Sequence, residues 1–380
     1  MSEYQRYEFM TIERPLTREQ LDAVNDLSSH IEASSTHALI EYHWGDFKHD
    51  PVAVLREFFD GFLYWANWGT PELAFRFPHG ILPATLIDGY DFFDFVTFNQ
   101  YPDYDILDIH FGEMEAPDEW TEYELGELIA IRDELMEGDL RSLYITWLAS
   151  QRMMGDYDED EEEDEDVEIS APPVPPAFGK LTAAQYALAK LLQVLQELLG
   201  AAAQHSSTAA PAVDDDVAAW VTLLSPERRD DYLVRLARNE PGLNRQLVRE
   251  LRELSQDKNS EPSTDEHVTY ALLLAESKAV KARLERERRE QERLARQRHL
   301  QEIHDHQANY WHQVDEAVMR SSGTGYDEAA QLLVELRGAA DHFKETQEFQ
   351  ERFRNWMRPH MRRPAFVKRL QAHKFPLPEA

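Results

Sequence analysis

The chain has 380 residues, 42% of them apolar and 11% aromatic, which is the make-up of folded protein and length enough for two or three cores. It has no cysteine, so disulfides, thiolate–zinc sites, cysteine nucleophiles and cysteine-held iron–sulfur clusters are excluded, and no run of 18 apolar residues to form a membrane-spanning helix. Its charge of −33 sits in one half: residues 1–170 carry 41 Asp/Glu against 9 Lys/Arg, a net of −32, while residues 171–380 carry 31 against 30, a net of −1, so the first half repels a nucleic-acid backbone.

The opening Met1-Ser2-Glu3-Tyr4-Gln5-Arg6 lacks a basic-then-apolar leader, and a cytoplasmic location is expected. Residues 7–12 read as a first strand. Thr17 and Gln20 have the spacing of a capping box and open a helix to about Ser29. Residues 36–44 alternate: Ala38, Ile40, Tyr42 and Trp44 share one face and His37, Leu39, Glu41 and His43 the other, a strand with one buried face. Asp50-Pro51 is an N-cap followed by proline at the first helical position. Leu55, Phe58, Phe59, Phe62 and Trp65 then recur every three to four residues, which predicts one helix ending at Asn67 or Gly69. Residues 72–77, 91–99 and 104–111 read as strands, the last two joined by a hairpin at Tyr101-Pro102-Asp103. Thr121 with Glu124 is a second capping box, and the leucines from Leu125 to Leu148 give one or two helices broken near Gly138. Residues 1–155 therefore form an acidic α+β domain with a mixed or antiparallel sheet and helices.

Residues 156–168 hold eleven Asp or Glu in thirteen positions, which cannot bury apolar surface. With Pro172-Pro173-Val174-Pro175-Pro176 they make a solvated, then extended, linker over residues 156–177; a polyproline ligand is the alternative reading of the prolines. The rest is all-α. Thr182 with Gln185 caps a helix whose leucines from Leu188 to Leu199 form one face, stopped by Gly200 and followed by a loop over 201–216. Ser225-Pro226 opens a helix with Tyr232, Leu233 and Leu236, and Pro241-Gly242 another with Leu247, Leu251 and Leu254, completing a small helical domain over 178–262. Ser263 with Glu266 starts a long charged helix to about Arg320, some 55 residues and roughly 80 Å. Its middle, 281–298, alternates Glu and Arg without a sustained heptad, so a solvated arm is favoured over a two-stranded coiled coil. The turn Ser321-Ser322-Gly323-Thr324-Gly325 has no following lysine and reads as a helix connection, not a phosphate loop. Helices carrying Leu332, Leu333 and Leu336, then Phe349, Phe353 and Trp356, then Phe366, Val367 and Leu370 complete a region over 263–380.

Tyr326-Asp327-Glu328-Ala329, Leu332-Leu333-Val334-Glu335-Leu336-Arg337 and the basic stretch 364–370 resemble a helical module at the C-terminus of uncharacterised bacterial proteins, some of which carry SWIM-type zinc fingers. Tyr42-His43-Trp44-Gly45-Asp46-Phe47 and Ala66-Asn67-Trp68-Gly69-Thr70 resemble members of the same family. The resemblance covers about half the chain and implies no activity; a SWIM finger needs cysteine ligands, which this chain lacks.

Three features invite chemistry. His37, Glu41 and His43 share a strand face, as do Asp108 and His110; if the two strands paired, five ligands could converge on a metal, the bland reading being an exposed polar sheet face. His304 and His306 lie roughly 200° apart on a helix and do not chelate together, even with His312 nearby. Arg352, Arg354, Arg358, Arg362, Arg363, Lys368, Arg369 and Lys374 form a basic segment free of acid, with Phe353, Trp356 and Phe366 interleaved, a pattern that holds phosphates and stacks bases or else is a solvated helix face. The aromatic set Trp44, Phe58, Phe59, Phe62, Trp65 and Trp68 reads as core, an exposed remnant of it as a binding patch. No Gly-x-Ser-x-Gly or His-Glu-x-x-His occurs. The expectation is a non-enzymatic protein–protein interaction adaptor or regulatory subunit of a bacterial complex, with no cofactor and proteins as partners. The alternative is a nucleic-acid-associated accessory protein using the basic segment, and a metal-dependent enzyme at the His37 face comes third.

Overall fold

The computed structural model describes residues 3–82, 87, 89–112, 114, 122–158, 170–207, 220–238, 243, 247, 250–251, 254 and 268–378. The chain divides into two units, Met1–Lys281 and Ala282–Ala380. Among the described residues no helix is long and apolar enough to cross a membrane.

The first unit is built on seven antiparallel strands: β1 (Gln5–Met10), β2 (Ile31–Ala33), β3 (His37–Tyr42), β4 (Gly61–Ala66), β5 (Gly69–Pro78), β6 (Val96–Gln100) and β7 (Tyr104–His110). Their order is β2-β3-β1-β4-β5-β7-β6. Short hairpins join β2 to β3, β4 to β5 and β6 to β7, and β1 fills the slot between β3 and β4. Helix α1 (Arg18–Asn25) begins at the expected capping box: Gln20 N donates to Thr17 Oγ1 at 3.2 Å and Thr17 N to Gln20 Oε1 at 3.0 Å. Helix α2 (Pro51–Phe58) begins at Asp50, whose Oδ1 accepts from Val52 N at 3.0 Å. One sheet face buries Tyr7, Phe9, Ile40, Phe62 and Ile106 against Val24 of α1 and Leu55 of α2. On the other face Glu8 accepts from the N–H of Leu125, which opens α3 (Leu125–Leu128). The buried Arg132 of α4 (Ala130–Met136) donates to Arg76 O and pairs with Glu13, both at 2.7 Å.

The aromatic run after Pro51 departs most from expectation. The helix stops at Phe58, Phe59 is extended (φ −126°, ψ 172°), and Phe62 and Trp65 lie on β4. A central strand covered on both faces buries Phe62, Leu63, Trp65 and Ala66 alike, and a run with no polar positions satisfies a helical spacing as readily as a strand. Gly69 closes the hairpin at φ +109°, where a Cβ would lie 1.8 Å from Met114 O. Phe93–Phe95 form a 3-10 turn, so the predicted strand over 91–99 is only β6. Trp44, placed by alternation on the buried face of β3, lies beyond that strand's end and is exposed.

Helix α5 (Arg141–Asp158) buries Tyr144, Trp147 and Leu148. Helix α6 (Ala183–Leu191) starts at the Thr182–Gln185 capping box. Gln185 Nε2 donates to Glu134 Oε2 at 2.9 Å and Asp139 Oδ2 at 2.8 Å, tying α6 to α4 and to the segment that joins α4 to α5. The predicted single leucine helix is two: Gln193 at φ +53° separates α6 from α7 (Gln196–Ala202). Gly200 does not stop α7 but lies inside it, where a Cβ would meet Val280 Cγ1 at 2.7 Å. Helix α8 (Pro226–Ala237) starts at Ser225, and Tyr232 packs with Leu224, Leu243 and Leu251. The acidic linker from 159 to 169, and Thr121, Pro241, Gly242, Ser263 and Glu266, lie outside the described residues. The proline run is no solvated spacer: Ala171 N donates to Val268 O at 2.9 Å, Ser206 Oγ donates to Pro175 O at 2.7 Å, and Pro175 is buried.

Helix α9 (Tyr270–Asp305) has 36 residues and spans about 54 Å; it breaks at His306 instead of continuing to Arg320, and α10 (Gln307–Met319) follows. Exposed pairs Arg283–Glu287 at 3.9 Å, Arg289–Glu285 at 3.7 Å and Arg288–Glu292 at 3.8 Å support α9 by charge rather than burial. In the second unit α10 and α11 (Gly323–His342) form a hairpin, with Ser322 as N-cap, its Oγ accepting from Gly325 N at 3.0 Å. Helices α12 (Thr346–Met357) and α13 (Pro364–Ala372) close a core of Trp311, Val314, Leu333, Phe353, Phe366 and Leu370.

Candidate functional site

At one end of the sheet, Tyr42 of β3 and Ala66 of β4 both lie opposite Gln5 of β1. The chain running out of these strands carries Trp44 on one side of β1 and Trp68 on the other. Tyr4 locks the arrangement: its N–H donates to Asn67 Oδ1 and its carbonyl accepts from Asn67 N, both at 3.0 Å. Its ring packs 5.4 Å from those of His43 and Trp65. Two strand spacings, about 10 Å, separate the outgoing segments. Of the six aromatic residues read as core, Phe59, Phe62 and Trp65 are buried, whereas Trp44 is 74% exposed and Trp68 42%.

Carboxylates gather beside this end. Gln5 Nε2 donates to Gly45 O at 3.1 Å and Asp46 Oδ1 at 2.9 Å, and Gln5 Oε1 accepts from Tyr7 OH at 2.7 Å and Tyr64 OH at 3.4 Å. The β5–β7 register sets Glu72 opposite His110 and Ala74 opposite Asp108, so Glu72, Asp108 and His110 share one face. Burial, then the charges of Asp108 and Asp50, push the Glu72 carboxyl up to about 8. Burial, then Asp50, push Asp108 up to about 6. Glu72 does not act on Asp108 in turn, because the lower group loses its proton while Glu72 is still neutral. Burial pulls His110 below the usual imidazole range. Asp108 Oδ1 is buried and has no hydrogen-bond partner among the described residues. At neutral pH the face thus holds a protonated Glu72 beside an ionised Asp108, with the acids Asp46 and Asp50 adjacent.

The five-residue metal set does not assemble. Strands β3 and β7 are separated by β1, β4 and β5. His37 Nε2 is bonded to Glu8 Oε1 at 2.9 Å, Glu41 accepts from Tyr4 OH and pairs with Arg6 at 3.6 Å, and His43 lies against Tyr4. His304 Nε2 is bonded to Glu345 Oε1 at 3.1 Å. Among the described residues no group of three His, Asp or Glu is placed to hold a metal ion.

The basic segment is rearranged by burial. Phe353 and Phe366 are core and cannot stack on bases, and Trp356, half-buried, is held by its Nε1 donating to Asp315 Oδ1 at 2.6 Å. Arg363 Nη1 ties three elements, donating to Val318 O at 2.9 Å, Ser321 Oγ at 2.8 Å and Tyr326 OH at 3.1 Å. Arg369 pairs with Asp327, and Arg352 lies over the Trp311 ring at 4.7 Å. Arg354, Arg358, Arg362, Lys368 and Lys374 are exposed. The internal role of Arg363 carries no sequence signal, since its acceptors are a carbonyl and two hydroxyls 37 to 45 residues away. Glu72 was missed because its setting exists only once β5 is registered on β7. Comparison of the chain with family models, curated proteins and solved structures gives no match.

Proposed function

We propose that the chain is a non-enzymatic interaction protein of the cytoplasm, an adaptor or regulatory subunit, whose first unit docks a partner protein at the sheet end carrying Trp44 and Trp68. The observation that supports this reading is the pair of exposed indoles framing β1. Tryptophans are costly to leave in water and are enriched among the residues that dominate binding energy. The surrounding Asp46, Asp50 and Asp108 favour a partner that presents a basic surface, and their field speeds its approach more than it tightens its grip. The test is affinity capture with full-length protein and the Trp44→Ala/Trp68→Ala double variant. Captured proteins that are lost with the double variant support the reading; identical capture by both overturns it.

The second reading, an accessory protein on nucleic acid, is supported by the exposed Arg354, Arg358, Arg362, Lys368 and Lys374. With Phe353 and Phe366 buried, these cations would hold phosphates with only the half-buried Trp356 beside them. Binding to single-stranded RNA or duplex DNA at about 50 mM salt, falling steeply by about 200 mM, would favour it. No binding at the lower salt removes it.

A further inference from the structure

Helices α10, α11 and α12, with Glu345 just before α12, line an open-mouthed cavity of about 110 Å³ within the second unit. Its floor is formed by Trp311, Leu336 and Phe349, which are buried and present only a small apolar surface to it, and its rim carries Gln307, Glu345, Glu348 and Arg352. Glu348 and Arg352 stand one turn apart on α12, a spacing at which such side chains ordinarily pair. Among the described residues neither side chain makes an ion pair or a hydrogen bond: the guanidinium is drawn over the Trp311 ring, 4.7 Å from its centre, and Glu348 is exposed. Glu345 is held by His304 Nε2 at 3.1 Å and by Gln307 Nε2 at 3.5 Å, Gln307 itself lining the cavity. The cavity therefore has charges of opposite sign on its rim, unneutralised by one another, above a small apolar floor.

We propose that this cavity binds a free small α-amino acid. Its ammonium faces Glu345 and Glu348, its carboxylate takes the planar fork of Arg352 in two parallel hydrogen bonds, and its side chain meets the floor. Size restricts the class. A cavity of about 150 Å³ admits a six-carbon ring, so this smaller one takes about five or six heavy atoms, the size of glycine or alanine. A ligand with a single charge satisfies only one side of the rim, and a side chain as large as leucine does not fit.

The test is isothermal titration of the full-length protein with alanine and glycine, beside ethylamine, propionate and leucine. Alanine or glycine should bind, and each of the other three should bind at least about tenfold more weakly. Arg352→Gln, Arg352→Lys and Glu348→Gln should each weaken alanine at least about tenfold. Both residues are exposed, so these variants should unfold at the wild-type temperature. Three results overturn the proposal: no heat with alanine or glycine at about 10 mM, propionate or ethylamine binding as tightly as alanine, or alanine binding unchanged in Arg352→Gln.

Discussion

Replacing Glu72 by glutamine should stabilise the first unit, and more so at high pH. The carboxyl moves from an ordinary 4.5 to about 8 on folding, so between those values the native state holds a proton that the unfolded chain has released. Stability then falls as pH rises, at up to about 1.4 kcal/mol per pH step, a ceiling of ~4 kcal/mol between pH 5 and 8. Glu72 is only partly covered, and water reaching the face reduces this; the expected difference between pH 5 and 8 is ~2 kcal/mol. Glutamine keeps the shape and cannot ionise, so the variant should escape the loss. The readout should be local, because a chain of two units need not unfold in one step. Hydrogen exchange of β4 and β5 amides across a urea series at pH 5 and 8, for wild type and Glu72→Gln, supplies it. A variant-minus-wild-type difference that stays flat with pH refutes the reasoning, and so does a wild-type unit more stable at pH 8 than at pH 5 by the same probes.

Gly69→Ala should destabilise the first unit by more than about 2 kcal/mol or prevent folding, because it combines a left-handed backbone with a Cβ 1.8 Å from Met114 O; urea unfolding followed on β4 and β5 checks it. Arg363→Met should lower the stability of the second unit by about 2–3 kcal/mol, leaving Val318 O and two hydroxyls short of a donor, while Arg362→Met at an exposed site should stay within about 0.5 kcal/mol. Exchange of α10 and α13 amides in the two variants compares them directly.

Local chemistry was legible in the amino-acid order, and tertiary context was not. The capping boxes at Thr17 and Thr182 were readable because each closes within four residues. The alternation of β3 and the hairpin from β6 to β7 were readable for the same reason. Strand β4 was hidden because burial on both faces erases the polar positions that mark a strand. The break of α9 at His306 was hidden by continuous helical spacing on either side. At the candidate site, the aromatic set was visible as a set, but which rings stay in water depends on where β3 and β4 end. Trp44 and Trp68 fall just past those ends, and Phe59 and Phe62 share a core with Leu55 of α2. The basic segment was visible as charge, yet Arg363 and Arg369 are occupied inside the bundle and only part of that charge faces water.

Side-chain oxidation by hydroxyl radicals, with and without the captured partner, tests the docking surface most directly. Indoles are read residue by residue, and Trp44 and Trp68 begin exposed. The expected result is protection of both tryptophans on binding, with the buried Trp147 and Trp311 unchanged. Trp44 and Trp68 oxidised equally with and without partner, or protection confined to residues 352–374, would contradict docking at the sheet end.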